Sequence, residues 1–402
     1  MKTNELRNTI APVFPDNFPR NYENDINGWA FDQQTLQENK GKLLTLDIDF
    51  GQYCSLKCPN CFRIPTPNKY KPETPLQKEI REKNISNMKK WIEEAIPLGL
   101  KSVKFLGKGE MFENKGFIEF LEFLHEKNIT PLIFTKGHII GDDNAIENKF
   151  GYLGLHNGEQ LVQKLKDLNC RIMLGFASFN DDVQRILIGD QNNHLDYIKK
   201  RNKALKLFID AGFNSTEQFN EKGEIITRLA LCTNPVTKFN KNDVLDVYTW
   251  ARERNIYSII TPTMISGNGE KLFNSKKYEQ GLAPNELIHL YTQAYKWNIM
   301  KGLQTLEQIK QEGISPYAGA HPCNQISAGM YIQLDGKVLR CPGGNAVEGN
   351  LKEKSLSEIW NHSKNKQEFA GTFNVGCLPK DGKSIPKNLY QQVLANLTEN
   401  NL

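Results

Sequence analysis

The sequence contains no apolar run that approaches about 18 residues, the length at which a transmembrane helix is indicated. Its first residues, MKTNELRNTIAPVFPDNFPR, have polar residues and prolines where a signal peptide would need an uninterrupted apolar core. The formal net charge of +5 is spread along the chain without a long basic block, so neither nucleic acid nor a membrane is indicated as a partner. With 39% hydrophobic residues the chain can form a real core, and we expect a globular cytoplasmic protein.

The eight cysteines are grouped rather than scattered, which in a reducing compartment suits metal ligation better than disulfides. The segment DFGQYCSLKCPNCFR places Cys54, Cys58 and Cys61 with the spacing C-x3-C-x2-C. A closed zinc site needs four ligands, and no second cysteine or histidine pair follows within the usual reach. An iron–sulfur cube takes one thiolate on each iron, so three cysteines leave one iron open for chemistry. The alternative is a loop of three thiols without a metal.

From Leu43 the sequence alternates between short apolar runs and segments with helical spacing. The run LLTLDIDF leads into the cysteine segment, and five further runs begin at KSVKFLG, TPLIFT, CRIMLGF, IITRLALC and IYSIITP. Six strand–helix units in a row predict an α/β fold with a parallel sheet and right-handed crossovers. Functional loops then belong at the C-terminal ends of the strands. Residues 1–42 show no clear period and are predicted to form an irregular leader.

After about Pro316 the pattern changes to a short alternating hairpin, MYIQLDGKVLRC, with a turn at Asp335 and Gly336. A predicted helix, SLSEIWNHS, comes next. This stretch reads as a small appended α+β module, and it contains three further cysteines: Cys323, Cys341 and Cys377.

The first cysteine motif resembles that of the radical S-adenosylmethionine (SAM) enzymes, whose cluster loop follows the first strand of a partial (β/α)6 TIM-like barrel. The resemblance implies that Cys54, Cys58 and Cys61 ligate a 4Fe-4S cluster whose open iron is chelated by the methionine moiety of SAM. An electron from the cluster then cleaves SAM to a 5′-deoxyadenosyl radical. The family usually has an aromatic residue before the third cysteine, where this chain has Asn60, with Phe62 after it. Both are candidates for contact with the cofactor.

The second predicted strand ends in FLGKGEMF, and this segment resembles the family's Gly-Gly-Glu loop, where backbone carbonyls receive the methionine ammonium. The resemblance makes Gly107, Lys108, Gly109 and Glu110 cofactor-binding candidates. Glycine permits the close backbone approach that such a contact requires. Composition alone also allows an ordinary strand-to-helix turn.

The next two predicted strands end in IFTKGHII and GFASFNDD. Thr135, Lys136, Ser178 and Asn180 are therefore placed to reach the ribose or the carboxylate of SAM. Arg185 is a candidate partner for the methionine carboxylate, and the alternative is an arginine on a solvated helix face.

The C-terminal module resembles the twitch domain, a shortened form of the SPASM extension that carries an auxiliary 4Fe-4S cluster. The spacing from Cys323 through Gly336 to Cys341 and the segment GNLKEKSLSEIW carry this resemblance. It implies one auxiliary cluster held by Cys323, Cys341 and Cys377, with the fourth iron open to substrate or bound by a residue such as His321. A zinc knuckle or unliganded thiols remain the alternative.

The expected organisation is an irregular leader (1–42), a radical SAM partial barrel (43–315), a twitch/SPASM-like auxiliary cluster domain (316–385) and a tail (386–402). Cys170 and Cys232 lie within apolar strands and are predicted to be small core residues. The enzyme that makes the molybdopterin precursor is disfavoured, because its Gly-Arg-Arg tail is absent from a chain ending in LTENNL.

The resemblance implies hydrogen abstraction from a small polar metabolite such as a sugar, aminocyclitol or nucleoside. The auxiliary cluster would accept an electron or anchor the substrate, and an external donor such as flavodoxin or ferredoxin would supply the first electron. The alternatives are a maturase of a ribosomally synthesised peptide and a non-catalytic iron–sulfur or zinc scaffold. The substrate itself is not readable from the sequence.

Overall fold

The computed structural model describes residues 1–14, 18, 22–26, 29–67, 73–275 and 281–399. The strands in this part of the chain are β1 Tyr22–Ile26, β2 Thr45–Ile48, β3 Tyr53–Cys54, β4 Thr66–Pro67, β5 Ser102–Phe105, β6 Thr130–Thr135, β7 Arg171–Gly175, β8 Ile225–Thr227, β9 Leu229–Val236, β10 Tyr257–Pro262, β11 Gly329–Ile332, β12 Lys337–Leu339 and β13 Val347–Asn350.

The α-helices of the described residues are α1 Thr3–Thr9, α2 Gln33–Glu38, α3 Pro75–Ala95, α4 Phe117–Glu126, α5 Asp143–Phe150, α6 Gly158–Asp167, α7 Asp181–Ile188, α8 Tyr197–Asp210, α9 Val244–Arg252, α10 Gly267–Phe273, α11 Pro284–Lys301, α12 Leu306–Glu312, α13 Gln325–Ala328, α14 Leu356–His362, α15 Lys364–Phe369 and α16 Leu389–Glu399. Short 3-10 turns lie at Ile96–Leu98, Met111–Glu113 and Gly151–Leu153. None of these helices is long and apolar enough to cross a membrane.

Nine strands form the main sheet in the order β10-β9-β7-β6-β5-β2-β11-β12-β13. The six predicted strands β2, β5, β6, β7, β9 and β10 are all parallel neighbours. Each is followed by its predicted helix, and α5, α7 and α10 are additional helices in the connecting loops. The prediction of a mixed α/β fold with a parallel core, as in a partial barrel, is confirmed.

Alternate residues of the parallel strands face opposite sides of the sheet, as the two-residue period of a strand requires. Val103 and Phe105 of β5 pack in the main core under the helices, as do Leu46 and Ile48 of β2. A smaller cluster packs together on the other side of the sheet and lines the inside of the barrel, comprising Trp29, Leu132, Met173, Ala230, Cys232, Tyr257, Ile259 and Ala320. The polar residues that alternate with the first set therefore face the barrel interior.

The C-terminal hairpin continues the sheet of the barrel. Strand β11 pairs in parallel with β2, with Gly329 opposite Thr45, and β12 and β13 extend the sheet antiparallel. Gly329 allows this approach, because a Cβ at that position would lie 2.5 Å from the Thr45 carbonyl oxygen. The pairing covers an edge of β2 that would otherwise expose unpaired backbone groups.

Residues 1–42, for which the sequence predicts no regular element, contain α1, β1 and α2. Strand β1 pairs in parallel with β8, about 200 residues away in the chain. Helix α1 is fastened to α8 by Thr3, whose hydroxyl accepts a hydrogen bond of 3.0 Å from Arg201. These elements depend on distant partners, which a local periodicity does not reveal.

Trp360 of α14 can test whether the C-terminal hairpin region and the barrel share one hydrophobic core. Its side chain is 1% exposed, packs in the same core as the barrel residues and donates a 3.0 Å hydrogen bond to the Gly41 carbonyl. We expect Trp360→Ala to lower the free energy of unfolding by about 3–5 kcal/mol, measured from the urea midpoint of the anaerobic holoenzyme.

Met300→Ala is the matched control, because this side chain is 74% exposed and its loss should change the free energy of unfolding by less than about 0.5 kcal/mol. Separate unfolding of the C-terminal hairpin region, with an unchanged midpoint for the barrel, would contradict a joint core.

Candidate metal and cofactor site

Cys54, Cys58 and Cys61 lie in the loop that follows β2, and all three are half-buried. Cys54 is in the short strand β3, and the Cys61 N–H donates to the Cys58 carbonyl in a turn that brings these two close in space. Burial raises the pKa of Cys61 to about 11, and the nearby Cys58 contributes. Burial and Cys58 also raise the pKa of Cys54. The thiolates would repel one another, so the loop needs a cationic group to hold them deprotonated.

An iron–sulfur cluster fits this donor set, since thiolates are the ligands that such clusters use. No group of three or more His, Cys, Asp or Glu in the described ranges has the arrangement of a single-ion site. A 4Fe-4S cluster is larger than a single metal ion, so its cysteine ligands lie further apart than the ligands of a single-ion site.

A network of three buried or half-buried groups holds the cysteine loop. Glu113 accepts hydrogen bonds from the backbone N–H of Ser55, at 2.8 Å, and from its hydroxyl, at 2.6 Å. His138 Nε2 lies 2.9 Å from the Ser55 hydroxyl and 3.1 Å from Glu113 Oε1. Sequence reasoning missed all three residues, because their spacing along the chain carries no metal or catalytic motif.

The predicted glycine loop lies directly against the cysteine loop. Gly109 has a φ of +90°, and a Cβ there would be 2.8 Å from the Tyr53 carbonyl oxygen, so glycine is required. The Glu110 N–H donates to the same oxygen at 2.8 Å. Gly107 and Lys108 border Asp49, whose carboxyl accepts the Lys108 backbone N–H.

The Glu110 carboxylate links this loop to the end of β6. It accepts a 2.6 Å hydrogen bond from the Thr135 hydroxyl and a 2.9 Å bond from the Lys136 N–H. Burial raises the pKa of Glu110. Burial alone would lower the pKa of Lys136, but the neighbouring thiols, above all Cys58, raise it overall. Three predicted candidates, from the ends of two neighbouring strands, are thus brought to one place.

Asn60 is buried in the cysteine loop, and neither atom of its side-chain amide has a hydrogen-bond partner. The start of α10 closes over this segment, with the Asn268 N–H donating to the Cys61 carbonyl at 2.8 Å and the Ser266 hydroxyl donating to the Phe62 carbonyl at 2.9 Å. An unpaired buried amide is costly, and the polar groups of SAM would satisfy it.

The other three candidates have local partners. Ser178 donates to Asp243, and the Asn180 side chain caps α7 by accepting two backbone N–H groups, at 2.9 and 3.2 Å. Arg185 pairs with Asp182 at 2.7 Å on the same helix. No hydrogen bond or ion pair among the described residues joins these three side chains to the cysteine loop, and their contact with SAM stays a prediction.

Cys323, Cys341 and Cys377 converge as a second half-buried triad. Burial raises the pKa of Cys341 and of Cys377 to about 12 each, and the negative charge of the neighbouring thiolates adds to the effect. Their thiol chemistry suits a second cluster for the same reason as the first. His321 Nδ1 lies 3.2 Å from Glu312, which gives this histidine a carboxylate neighbour.

Lys380 connects the second triad to the barrel. It is fully buried, its ammonium donates to the Thr261 hydroxyl of β10 at 2.7 Å, and it lies over the Tyr317 ring at 5.5 Å. Burial lowers the pKa of Lys380, while the thiols of Cys377 and Cys232 oppose that shift. Cys232, predicted to be a small core residue, is a buried member of the cluster inside the barrel.

Several charged residues that sequence reasoning missed are buried in and beside the barrel interior. Asp47 faces the barrel interior, and burial raises its pKa to about 7, against the opposing effect of Lys104 and Arg63. Lys104 donates to Gln325 at 2.9 Å. Arg63 lies 4.5 Å over the Tyr331 ring. Charged residues inside the apolar runs LLTLDIDF and KSVKFLG were the available signal.

A cavity of about 1060 Å³ borders the start of the cysteine loop. Its lining includes Tyr53, Arg81, Glu113, His138 and Lys149, but none of the six cysteines of the triads. This cavity therefore borders the residues that support the cysteine loop rather than the six thiols themselves.

Comparison with protein families adds two matches. Residues 48–220 match the radical SAM superfamily, and residues 323–383 match an iron–sulfur cluster-binding domain named SPASM. Two curated GTP 3′,8-cyclases, from two strains of Helicobacter pylori, are 24% and 23% identical to this chain. Each of these alignments covers 73% of this chain and 78% of the relative.

Solved structures share the fold. The protein anSMEcpe with bound AdoMet matches with a TM-score of 0.58 at 17% identity, over 89% of this chain and 100% of that protein. SuiB of Streptococcus suis, bound to its precursor peptide SuiA, matches with a TM-score of 0.51 at 15% identity, over 83% of this chain and 69% of SuiB. At these sequence identities the similarity shows a shared fold alone.

The Glu113 network yields a prediction about metal retention. Glu113→Ala removes the acceptor of the Ser55 N–H and hydroxyl, so the first cysteine loop should hold its cluster less firmly. We expect about half of the iron of the reconstituted protein to be released several-fold faster to a chelator, while the rest is released at the parent rate.

Glu126→Ala, at an exposed position at the end of α4, is the control and should leave iron release unchanged. Identical release from the Glu113→Ala and parent proteins would show that the network does not hold the loop.

Proposed function

The chain belongs to the radical SAM superfamily and carries a C-terminal SPASM-like iron–sulfur domain, and on this premise we propose that it abstracts hydrogen from a small polar metabolite. It is an enzyme, and its cofactors are a 4Fe-4S cluster, SAM and an auxiliary iron–sulfur cluster. The proposed substrate class is a sugar, an aminocyclitol or a nucleoside. The proposal also includes an external electron donor of the flavodoxin or ferredoxin class and a cytoplasmic location.

The bound cluster and SAM supply a 5′-deoxyadenosyl radical, which is the group that removes hydrogen from the substrate. In the proposal, Cys54, Cys58 and Cys61 hold the first cluster, and Cys323, Cys341 and Cys377 hold the auxiliary one. The Glu110 carboxylate fixes the ends of the strands beside the first cluster by its bonds to Thr135 and Lys136.

One observation carries the proposed substrate class: buried polar atoms without hydrogen-bond partners lie on the interior face of β2 and two residues after Cys61. Asp47 Oδ1 and the Nε and Nη2 atoms of Arg63 have no hydrogen-bond partner. Leaving such atoms unpaired costs free energy, and a small ligand with several polar groups would satisfy them. A mostly apolar ligand would leave them unsatisfied.

The relatives support the same class without deciding it. The names of the two curated relatives point to GTP, a nucleotide, as the molecule on which those enzymes act. The solved structures of SuiB and anSMEcpe include complexes with peptides, and a peptide maturase is therefore the second candidate. Asp47 and Arg63 are buried, and this favours a small molecule as the substrate. A peptide would need additional room for its chain to extend out of the site in both directions.

The substrate class is tested by the production of 5′-deoxyadenosine under anaerobic, reducing conditions. We expect a low-molecular-weight extract, or deuterated sugars, aminocyclitols and nucleosides offered singly, to stimulate this production and to transfer deuterium to 5′-deoxyadenosine. Cys58→Ala is the control and should abolish cleavage, because the first cluster loses a ligand. Stimulation by peptides alone would reject the small-molecule class, and undiminished cleavage by Cys58→Ala would reject the cluster assignment.

A second prediction tests whether the two clusters have different roles in catalysis. Cys341→Ala should retain slow, uncoupled cleavage of SAM but lose product, because the first cluster keeps all three of its thiolates. Circular dichroism and an iron count of about four per chain must accompany the assay, since a lost cluster can also destabilise the fold. Turnover of the native substrate at the parent rate by a folded Cys341→Ala protein would leave the auxiliary cluster with a structural role at most.

A further inference from the structure

The Arg63 side chain is held between the two cysteine triads. It follows Cys61 by two residues, is 9% exposed and lies 4.5 Å over the Tyr331 ring. Tyr331 belongs to β11, whose hairpin partner β12 ends at Leu339, two residues before Cys341. A molecule bound to Arg63 therefore lies in the space that the two triads border.

The Arg63 guanidinium lacks the hydrogen-bond partners that two other buried arginines, Arg201 and Arg254, have. Its Nε and Nη2 atoms make no hydrogen bond. By contrast, Arg201 bonds Asn202, Gln184 and Thr3, and Arg254 bonds two backbone carbonyls. Burial of unpaired guanidinium N–H groups is costly, so this position favours a ligand.

The two unpaired atoms define the chemistry of that ligand. Nε–H and Nη2–H lie on the same edge of the planar guanidinium and form the fork that binds two oxygens of a carboxylate or phosphate. The nearby acids do not occupy the fork, because no ion pair among the described residues joins Arg63 to a carboxylate. The Asp49 carboxyl instead accepts hydrogen bonds from the Tyr331 hydroxyl, at 2.6 Å, and from the Lys108 N–H.

Asp47 provides the complementary position. Its Oδ1 atom is buried and has no partner, and its pKa responds to Arg63 and to Lys104 without an ion pair to either. A carboxyl group in this position accepts a hydrogen bond from a hydroxyl or ammonium group.

We infer that Arg63 is the oxyanion subsite of the substrate: it binds a carboxylate or phosphate group, while Asp47 accepts a hydrogen bond from a hydroxyl or ammonium on the same molecule. This inference rests on the proposed function, since it names the charged group that the small polar substrate carries. It excludes neutral sugars and purely cationic aminocyclitols as substrates unless they bear such an anionic group.

The test measures oxyanion binding to the anaerobic holoenzyme saturated with SAM by isothermal titration calorimetry. Inorganic phosphate and acetate are the probes, and glycerol is the neutral comparison. We expect one site per chain for at least one of the two anions, and the tighter one identifies a phosphate or a carboxylate substrate. Arg63→Gln should weaken this binding by about tenfold or more, because the charged fork is lost.

Asp47→Asn should have the opposite effect and strengthen anion binding, because the nearest unpaired carboxyl no longer repels the anion. The measurement is made at a pH well above the Asp47 pKa of about 7. A purely structural role for the two residues would weaken binding in both variants. The opposite signs are therefore specific to a subsite in which Arg63 attracts and Asp47 repels the probe.

Arg252→Gln is the matched control. Arg252 is fully buried, and two tyrosine rings enclose its guanidinium, that of Tyr257 at 4.1 Å and that of Tyr248 at 5.4 Å, so its surroundings leave no place for an added anion. Tyr257 begins β10, so this arginine lies at the opposite end of the strand from Thr261 and Lys380. Anion affinity should be unchanged in this variant, and an equal loss would show a general effect of removing a buried arginine.

Several outcomes would overturn the inference: neither anion binds, Arg63→Gln binds it as the parent does, or Arg63→Gln weakens SAM binding instead. If circular dichroism shows that Arg63→Gln does not fold, the Arg63→Lys variant is tested instead. Lysine keeps the positive charge but cannot form two parallel hydrogen bonds to the anion, so anion binding should still be weaker. Hydrogen transfer to 5′-deoxyadenosine is measured separately. If hydrogen transfer is seen but no anion binds, only the oxyanion subsite is rejected. If an anion binds but no hydrogen transfer is seen, only the proposed function is rejected.

Discussion

The parallel pairing of β11 with β2 is the contact on which the arrangement of the two triads depends. Strand β2 leads into the first cysteine loop, and β11 leads through a tight turn and β12 to Cys341. Because Gly329 lacks a Cβ, its backbone can approach Thr45 closely enough for the ladder to form. The strand therefore places the second triad beside the first, and the hairpin region shares one core with the barrel through Trp360.

This geometry concentrates charge in a place where water is largely excluded. Asp47, Arg63 and Lys380 are buried near thiols that must be ionised to bind metal, and Lys104 is buried near Asp47. In low dielectric surroundings each charge strongly affects its neighbours, which explains why the pKa values of both triads respond to residues of the barrel interior. Residues that bind substrate and residues that surround the clusters therefore form one electrostatic unit.

The structure distinguishes groups that support the site from groups that face it. Glu113, Ser55 and His138 hydrogen-bond one another beside the cysteine loop, and Asp49 accepts hydrogen bonds from Tyr331 and Lys108. These hydrogen bonds stabilise the loops. Asn60, Asp47 and Arg63 carry unpaired atoms in equally buried positions, and this difference assigns the first to the cofactor and the other two to the substrate in our proposal.

The sequence by itself determined the six strand–helix units, the motif of the first triad and the hairpin of the second, because each depends on spacing within a short window. Thr135, Lys136 and Glu110 were also predicted as candidates, since parallel strands bring their C-terminal ends to one edge. Only the tertiary structure decided the pairing of β1 with β8 and of β11 with β2, which join segments about 200 or more residues apart. It also decided that Arg185 pairs on its own helix while Arg63 is left unpaired. Whether a buried polar atom has a partner depends on side chains from distant elements, and no local pattern of residues records that.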